Sequence, residues 1–294
     1  MRNILFIIIF LLSEISYAEI RALQEDFLYQ NEEIKINANL YTSSSVNKNI
    51  IILSHGTRGH QNMEIIKSFS TTLNDNGFDV LTPNYSFGIS NRDSIFLPCD
   101  IRHTHISEMS IKEIIHWFNY AIKNNYQRII FAGHSRGGQD TLNAYKYIKE
   151  YLSNYQEYID SLILLAPLTD SRQDNFNKIL NESNVNLTEL SKLDENQFIT
   201  SNFLMCENAD VKISSLLSYY DILSEDESIQ ILLGLNKPVY IFTAMQDSFV
   251  PETYERLKKI DKNNIKLFNI EDSDHFFRDL YLDEIIDYLI EFIE

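Results

Sequence analysis

Gly133-His134-Ser135-Arg136-Gly137 sets a hydroxyl nucleophile between two glycines, a G-x-S-x-G pattern that Gly138 extends. A serine forced into a tight strand-to-helix turn crowds its neighbours. Glycine at both flanks relieves that crowding and leaves the hydroxyl exposed. An ordinary glycine-rich turn reads the same over five residues, but the apolar run Arg128 to Ala132 before it and the helical pattern Thr141 to Tyr151 after it favour the nucleophile. A serine hydroxyl attacks only when a base takes its proton. Of the 7 histidines, the candidate is His275, in Asp-Ser-Asp-His-Phe-Phe just after the last strand-like run. His134 sits on the turn itself, with its side chain expected to point away from the attack direction. His55 ends a strand-like run and is expected to pack and hydrogen-bond beneath the loop that follows, while His60 and His116 sit in surface-like contexts. His103 and His105 flank Thr104, but no Cys, His or acidic cluster completes a site around them, so no metal is expected.

The histidine needs a carboxylate to fix its tautomer and stabilise its protonated form. Asp247, just beyond the run Val239 to Ala244, is the candidate, with Asp170 and Asp274 as rivals; the chain order serine, acid, histidine favours Asp247. Acyl transfer also needs donors aimed at the oxygen that becomes negative. The amide of Arg136, at the start of a helix, is one. The amide of Thr57, in His55-Gly56-Thr57-Arg58-Gly59, is the second, the alternative being a plain βα turn. Tyr85, Phe87 and Phe249 lie in loops at strand ends, where they either line an apolar acyl pocket or simply pack.

These residues need a scaffold that gathers distant segments at one edge. Short apolar runs at Asn49 to Leu53, Asp79 to Tyr85, Arg128 to Ala132, Ser161 to Ala166, Val239 to Ala244 and Ile265 to Ile270 suit strands buried on both faces. Helical patterns lie between most of them: Met63 to Asn76, a stripe from Ile106 to Ile122, Thr141 to Tyr151 and Glu284 to Phe292. Glu25 to Tyr29 and Ile34 to Thr42 read as a leading hairpin of edge strands. Alternating strands and helices predict an α/β fold, a mostly parallel sheet with helices on both faces and the site at the carboxyl ends of the strands. Residues 168–237 break the alternation. They are polar and acidic, with helical patches such as Val211 to Leu223 and no convincing buried strand, and are expected to form a helical lid inserted in one domain spanning 19–294.

With His55-Gly56, Gly-His-Ser-Arg-Gly-Gly at 133–138, Asp247 ahead of Val250-Pro251, and Asp274-His275-Phe276 in this order, the sequence resembles the α/β-hydrolase superfamily near its dienelactone-hydrolase and serine-esterase-like members, from about Ile34 onward. The resemblance implies Ser135, Asp247 and His275 as nucleophile, acid and base, and an acyl-enzyme mechanism without metal or cofactor. Tyr85 to Ile89, Cys99-Asp100 and His103-Thr104-His105 look like a bacterial exported branch. The absence of a longer glycine run after His55 departs from lipases. The expected substrate is a small-molecule carboxylic ester or related acyl compound. Peptidase, amidase or acyltransferase action on the same triad, and a non-catalytic binding protein on a hydrolase scaffold, are the rival readings.

The chain's 294 residues, 44% hydrophobic and 12% aromatic, suffice for one large core. Its formal charge of −17 argues against nucleic acid as a partner, since phosphate binding needs a basic footprint. Met1-Arg2-Asn3, the apolar stretch Ile4 to Leu12 and Ser16-Tyr17-Ala18 have the three parts of a secretory leader, with cleavage expected after Ala18. The apolar stretch is too short to span a bilayer, and no later segment is apolar for long enough. Export, to periplasm or medium, is therefore expected. In such a compartment Cys99 and Cys206 can close as a disulfide if they meet; two separate buried thiols are the alternative.

Overall fold

A computed structural model describes residues 19–29, 31–45, 48–170, 192–220 and 228–293, together with Asp174, Asn177 and Leu190. The leader expected over 1–18 lies outside the described residues. Eight strands form the central sheet in the order β1-β2-β4-β3-β6-β7-β10-β11: β1 (Glu19–Tyr29), β2 (Glu32–Thr42), β3 (Asn49–Ser54), β4 (Asp79–Asn84), β6 (Arg128–His134), β7 (Ile159–Leu165), β10 (Val239–Ala244) and β11 (Ile265–Ile270). The β1-β2 and β2-β4 pairs are antiparallel and the rest parallel. All eight fall on the runs read from the sequence.

The apolar runs work because a strand alternates sides with period two. Ile50 and Ile52 of β3 join one core, with α2 (Ser107–Lys123), α3 (Arg136–Tyr151) and α5 (Ser228–Gly234). Ile51 and Leu53 join the other, with α1 (Glu64–Asp75) and α7 (Leu280–Ile293). A strand buried on both sides has no polar face to show, which is why its sequence reads as a run and not as an alternation. The outer strand β1 is largely exposed and carries Glu19, Arg21, Glu25 and Asp26, side chains that discourage pairing with another chain.

The insertion differs from expectation. It is not purely helical: β8 (Phe198–Phe203) and β9 (Cys206–Lys212) form a hairpin, and short β5 (Arg102–His103) pairs with β9 to complete a second, three-stranded sheet. The helical patch read at Val211 to Leu223 appears as α4 (Ile213–Tyr220), with residues 221–227 outside the described set. Phe203, Val211, Leu216 and Tyr219 build a small core of their own. Glu207 and Asn208 are both exposed and leave only Ala209 to Lys212 in alternation, too short a stretch of period two to read as a strand. Cys99 and Cys206 are joined as a disulfide, tying this hairpin to the loop between β4 and β5. No described helix is long and apolar enough to cross a membrane.

Candidate active site

Ser135 stands at the turn from β6 into α3 with φ 57° and ψ −123°. A side chain at positive φ is strained by about 1–3 kcal/mol and persists only where its surroundings enforce it. Here three backbone hydrogen bonds do so: the Ser135 amide donates to Leu165 O at 2.8 Å, and its carbonyl accepts from Gly138 N and Leu168 N, both at 3.0 Å. The flanking glycines are needed for space. A Cβ on Gly133 would lie 2.3 Å from Gly137 O, and one on Gly137 would lie 2.5 Å from the carbonyl oxygens of Ser54 and His55. Those neighbours are backbone and cannot swing aside. Gly133→Ala is therefore expected to lower stability by about 1–3 kcal/mol in chemical denaturation, whereas Gly234→Ala, which meets nothing within 4 Å, should stay within about 0.5 kcal/mol.

The other two side chains come from loops after adjacent parallel strands. Gln246 N donates to Ser273 O at 2.9 Å and Met245 N to Ile270 O at 3.0 Å, holding the β10 and β11 loops together. His275 Nδ1 and Asp247 Oδ2 are 2.7 Å apart, and both side chains are about 5% exposed or less. Asp247 Oδ1 accepts from Phe249 N at 2.8 Å and Val250 N at 2.9 Å. Burial alone would raise this carboxyl, but the hydrogen bond and charge of His275 and the two amides together outweigh it, and its pKa lies below the usual value. Since a carboxylate only accepts, Nδ1 carries the proton, which leaves Nε2 as the base when the ring is neutral. Asp274, a rival in the sequence, is occupied elsewhere: it accepts from Phe276 N at 3.0 Å and pairs with Arg278.

The remaining histidines are held neutral or spent. His134 Nε2 lies 2.9 Å from His275 O, and since a carbonyl only accepts, the ring donates there and fixes the backbone of residue 275. Burial depresses its pKa to about 3, with the charge of His275 acting the same way. His55 donates from Nδ1 to Gly56 O at 2.9 Å and accepts at Nε2 from Tyr85 N at 3.2 Å, beneath the loop as expected; burial brings it to about 3 too. His105 contacts Tyr219 Oη at 2.9 Å and His103 at 3.4 Å. Among the described residues no group of three or more His, Cys, Asp or Glu could hold a metal ion.

Ser135, Thr57, Arg136 and Phe249 line one cavity of about 390 Å³ with Leu168, Val250, Tyr220 and the hairpin residues Asn202, Leu204, Met205, Cys206 and Glu207. The Phe249 ring lies 4.9 Å from the His275 ring, which places the imidazole against one of the lining side chains. Among the described residues neither the Thr57 nor the Arg136 amide donates to a backbone acceptor, leaving both available to an oxyanion. Two expected lining residues are corrected. Tyr85 and Phe87 do not line this cavity; both are buried, Tyr85 against His55 at 4.5 Å and Phe87 against His105 at 4.9 Å. Their loop is drawn inward by Arg92, which donates to Tyr85 O at 2.6 Å, Gly59 O at 2.8 Å and Asn84 Oδ1 at 2.6 Å. Arg92 thus braces the Thr57 loop, a role invisible in a sequence where it is one arginine among loop residues. The hairpin tip at Leu204 and Met205 was also missed, for the reason given for β9.

The sequence matches no protein-family model and no curated protein. Solved structures do resemble the chain. Est1E from Butyrivibrio proteoclasticus matches at 20% identity over 91% of this chain and 98% of its own, with TM-score 0.63; it has also been solved with ferulic acid bound. The esterase domain of a Rhodothermus marinus protein matches at 12% identity over 92% of this chain and 96% of its own, TM-score 0.60. The Pyrococcus furiosus esterase Pf2001 matches at 15% identity over 93% of this chain and 90% of its own, TM-score 0.56. With the sheet order and the positive-φ serine after β6, these likenesses establish that the chain has the fold of the α/β-hydrolase superfamily.

Proposed function

We propose that the protein is a serine hydrolase that cleaves a carboxylic ester or related acyl bond through an acyl-enzyme on Ser135. The observation that carries this reading is the 2.7 Å contact between His275 Nδ1 and Asp247 Oδ2 beside the cavity that Ser135 lines. His275 Nε2 takes the proton as Ser135 Oγ adds to the acyl carbonyl. The oxyanion then accepts from the amides of Thr57 and Arg136, which strengthens as charge develops. His275 returns the proton to the leaving group, and the acyl-enzyme remains. Water repeats the cycle: it loses a proton to His275, adds to the acyl carbon, and Ser135 leaves with that proton as the acid departs. The esterases among the structural relatives support an ester as the bond cleaved. Amides and acyl transfer use the same groups, and product analysis with paired ester and amide substrates separates them.

Export belongs to the same proposal. The Cys99–Cys206 disulfide supports an oxidising compartment. One mass-spectrometric experiment tests both parts. A fluorophosphonate probe is expected to add to the peptide containing Ser135, and the untreated mature chain to begin at Glu19. Labelling of no peptide would favour a binding protein on a hydrolase scaffold.

A further inference from the structure

Resting on the hydrolase reading above, a second feature of the same cavity speaks to what it accepts. Arg136 lines the cavity beside the nucleophile. Its Nε donates to Thr57 Oγ1 at 3.3 Å, and its guanidinium stacks on Tyr219, 5.2 Å from the ring centre. Tyr219 is itself buried and held by His105 at 2.9 Å. The head group is therefore oriented by two side chains, Thr57 and Tyr219, the second held in turn by His105.

What it lacks, among the described residues, is an acid. A guanidinium has five N–H donors, and among the described residues only Nε meets a protein acceptor and no carboxylate lies within ion-pair distance. This occurs in a chain with 42 acidic and 25 basic residues, where acids are abundant enough to pair every cation. Asp140, one turn along α3, is the nearest acid by sequence. It is buried and makes no ion pair with Arg136. Burial pushes its carboxyl up to about 7 against the pull of Arg136, so near neutrality it supplies only a partial counter-charge. The acid in the cavity wall, Glu207, is exposed on the hairpin and is not within ion-pair distance of Arg136 either. An arginine resting on an aromatic ring with its fork in water is the bland alternative.

We propose that Arg136 binds an anionic group of the substrate, a carboxylate a few bonds beyond the scissile carbonyl, so that the preferred substrates are half-esters of short dicarboxylic acids. The planar fork matches a carboxylate with two parallel hydrogen bonds. Because Arg136 follows Ser135 directly, the anion it holds lies within one arginine's length of the reacting carbon. The negative charge of the protein as a whole works against acidic substrates arriving, so selectivity of this kind needs a local cation.

The test compares monoethyl succinate, glutarate and adipate with neutral ethyl esters of the same acyl length. In the wild type the best half-ester should exceed its neutral counterpart in kcat/KM by about 10-fold or more, the size of a charge-assisted hydrogen bond. Arg136→Gln should cut that ratio by about 10- to 100-fold, and Arg136→Lys should retain part of it. Free glutarate should inhibit wild-type hydrolysis of the neutral ester more strongly than valeramide, a measurement that needs no variant. Ser135-dependent turnover with an unchanged ratio, or equal inhibition by the two, overturns this assignment alone. No turnover of either ester and no labelling of Ser135 overturns the hydrolase reading and this one with it.

Discussion

Ser135→Ala lowers kcat on a p-nitrophenyl ester by about 10⁶-fold, the loss typical of removing the nucleophile from such a triad. The size follows from what stays behind. Thr57 and Arg136, the proposed oxyanion donors, still line the cavity, so the variant should keep about 10³- to 10⁴-fold over the uncatalysed rate, with water attacking in place of the serine. Alanine at the same positive φ meets a similar backbone strain to serine, and among the described residues the Ser135 side chain makes no capping hydrogen bond to α3. The fold should therefore survive, with a denaturation midpoint close to the parent's. Turnover in the alanine variant equal to that of the parent would remove Ser135 from the chemistry.

Asp247→Asn should cost about 10⁴-fold in kcat, as this exchange does in serine triads generally, and the local hydrogen bonds say why. Phe249 N and Val250 N both donate to Oδ1. An asparagine here must keep its carbonyl oxygen on those amides, which turns its NH₂ toward His275. The imidazole then has a donor facing Nδ1 and must accept there, moving its own proton to Nε2. That places a proton on the nitrogen that has to receive one from Ser135. The ring remains in place while the tautomer is reversed, so fluorophosphonate labelling of Ser135 should slow in parallel with kcat while stability changes little. Full activity in Asp247→Asn would show that another carboxylate orients His275.

The parts of the molecule legible in sequence are those where a single physical constraint dominates. β3, β6 and β10 are buried on both faces, so their side chains are apolar without interruption and their positions read directly from runs such as Ile50 to Leu53. The turn at Ser135 was legible because backbone contacts of 2.3–2.6 Å permit only glycine at 133. Asp247 and His275 were legible by order along the chain, although nothing local distinguishes Asp247 from Asp170. The insertion was misread because β8 and β9 bury only one face against a small core, and what holds them includes a disulfide and the pairing with β5, both contributed by residues about a hundred positions away. Tyr85 and Phe87 show the same limit. Aromatic residues at a strand end suit a pocket or a core equally, and the deciding contact, the pull of Arg92 on the Tyr85 carbonyl, depends on tertiary structure.

The covalent tie at Cys206 has a consequence for the wall of the cavity. Leu204 and Met205 form the hairpin tip over Ser135; besides the cross-link, Arg58 reaches Leu204 O at 3.5 Å and Tyr220 Oη accepts from Leu204 N at 3.3 Å. A flap fastened at its free end does not swing. Among the described residues, the hairpin wall of the cavity is therefore held at a fixed distance from the loop between β4 and β5.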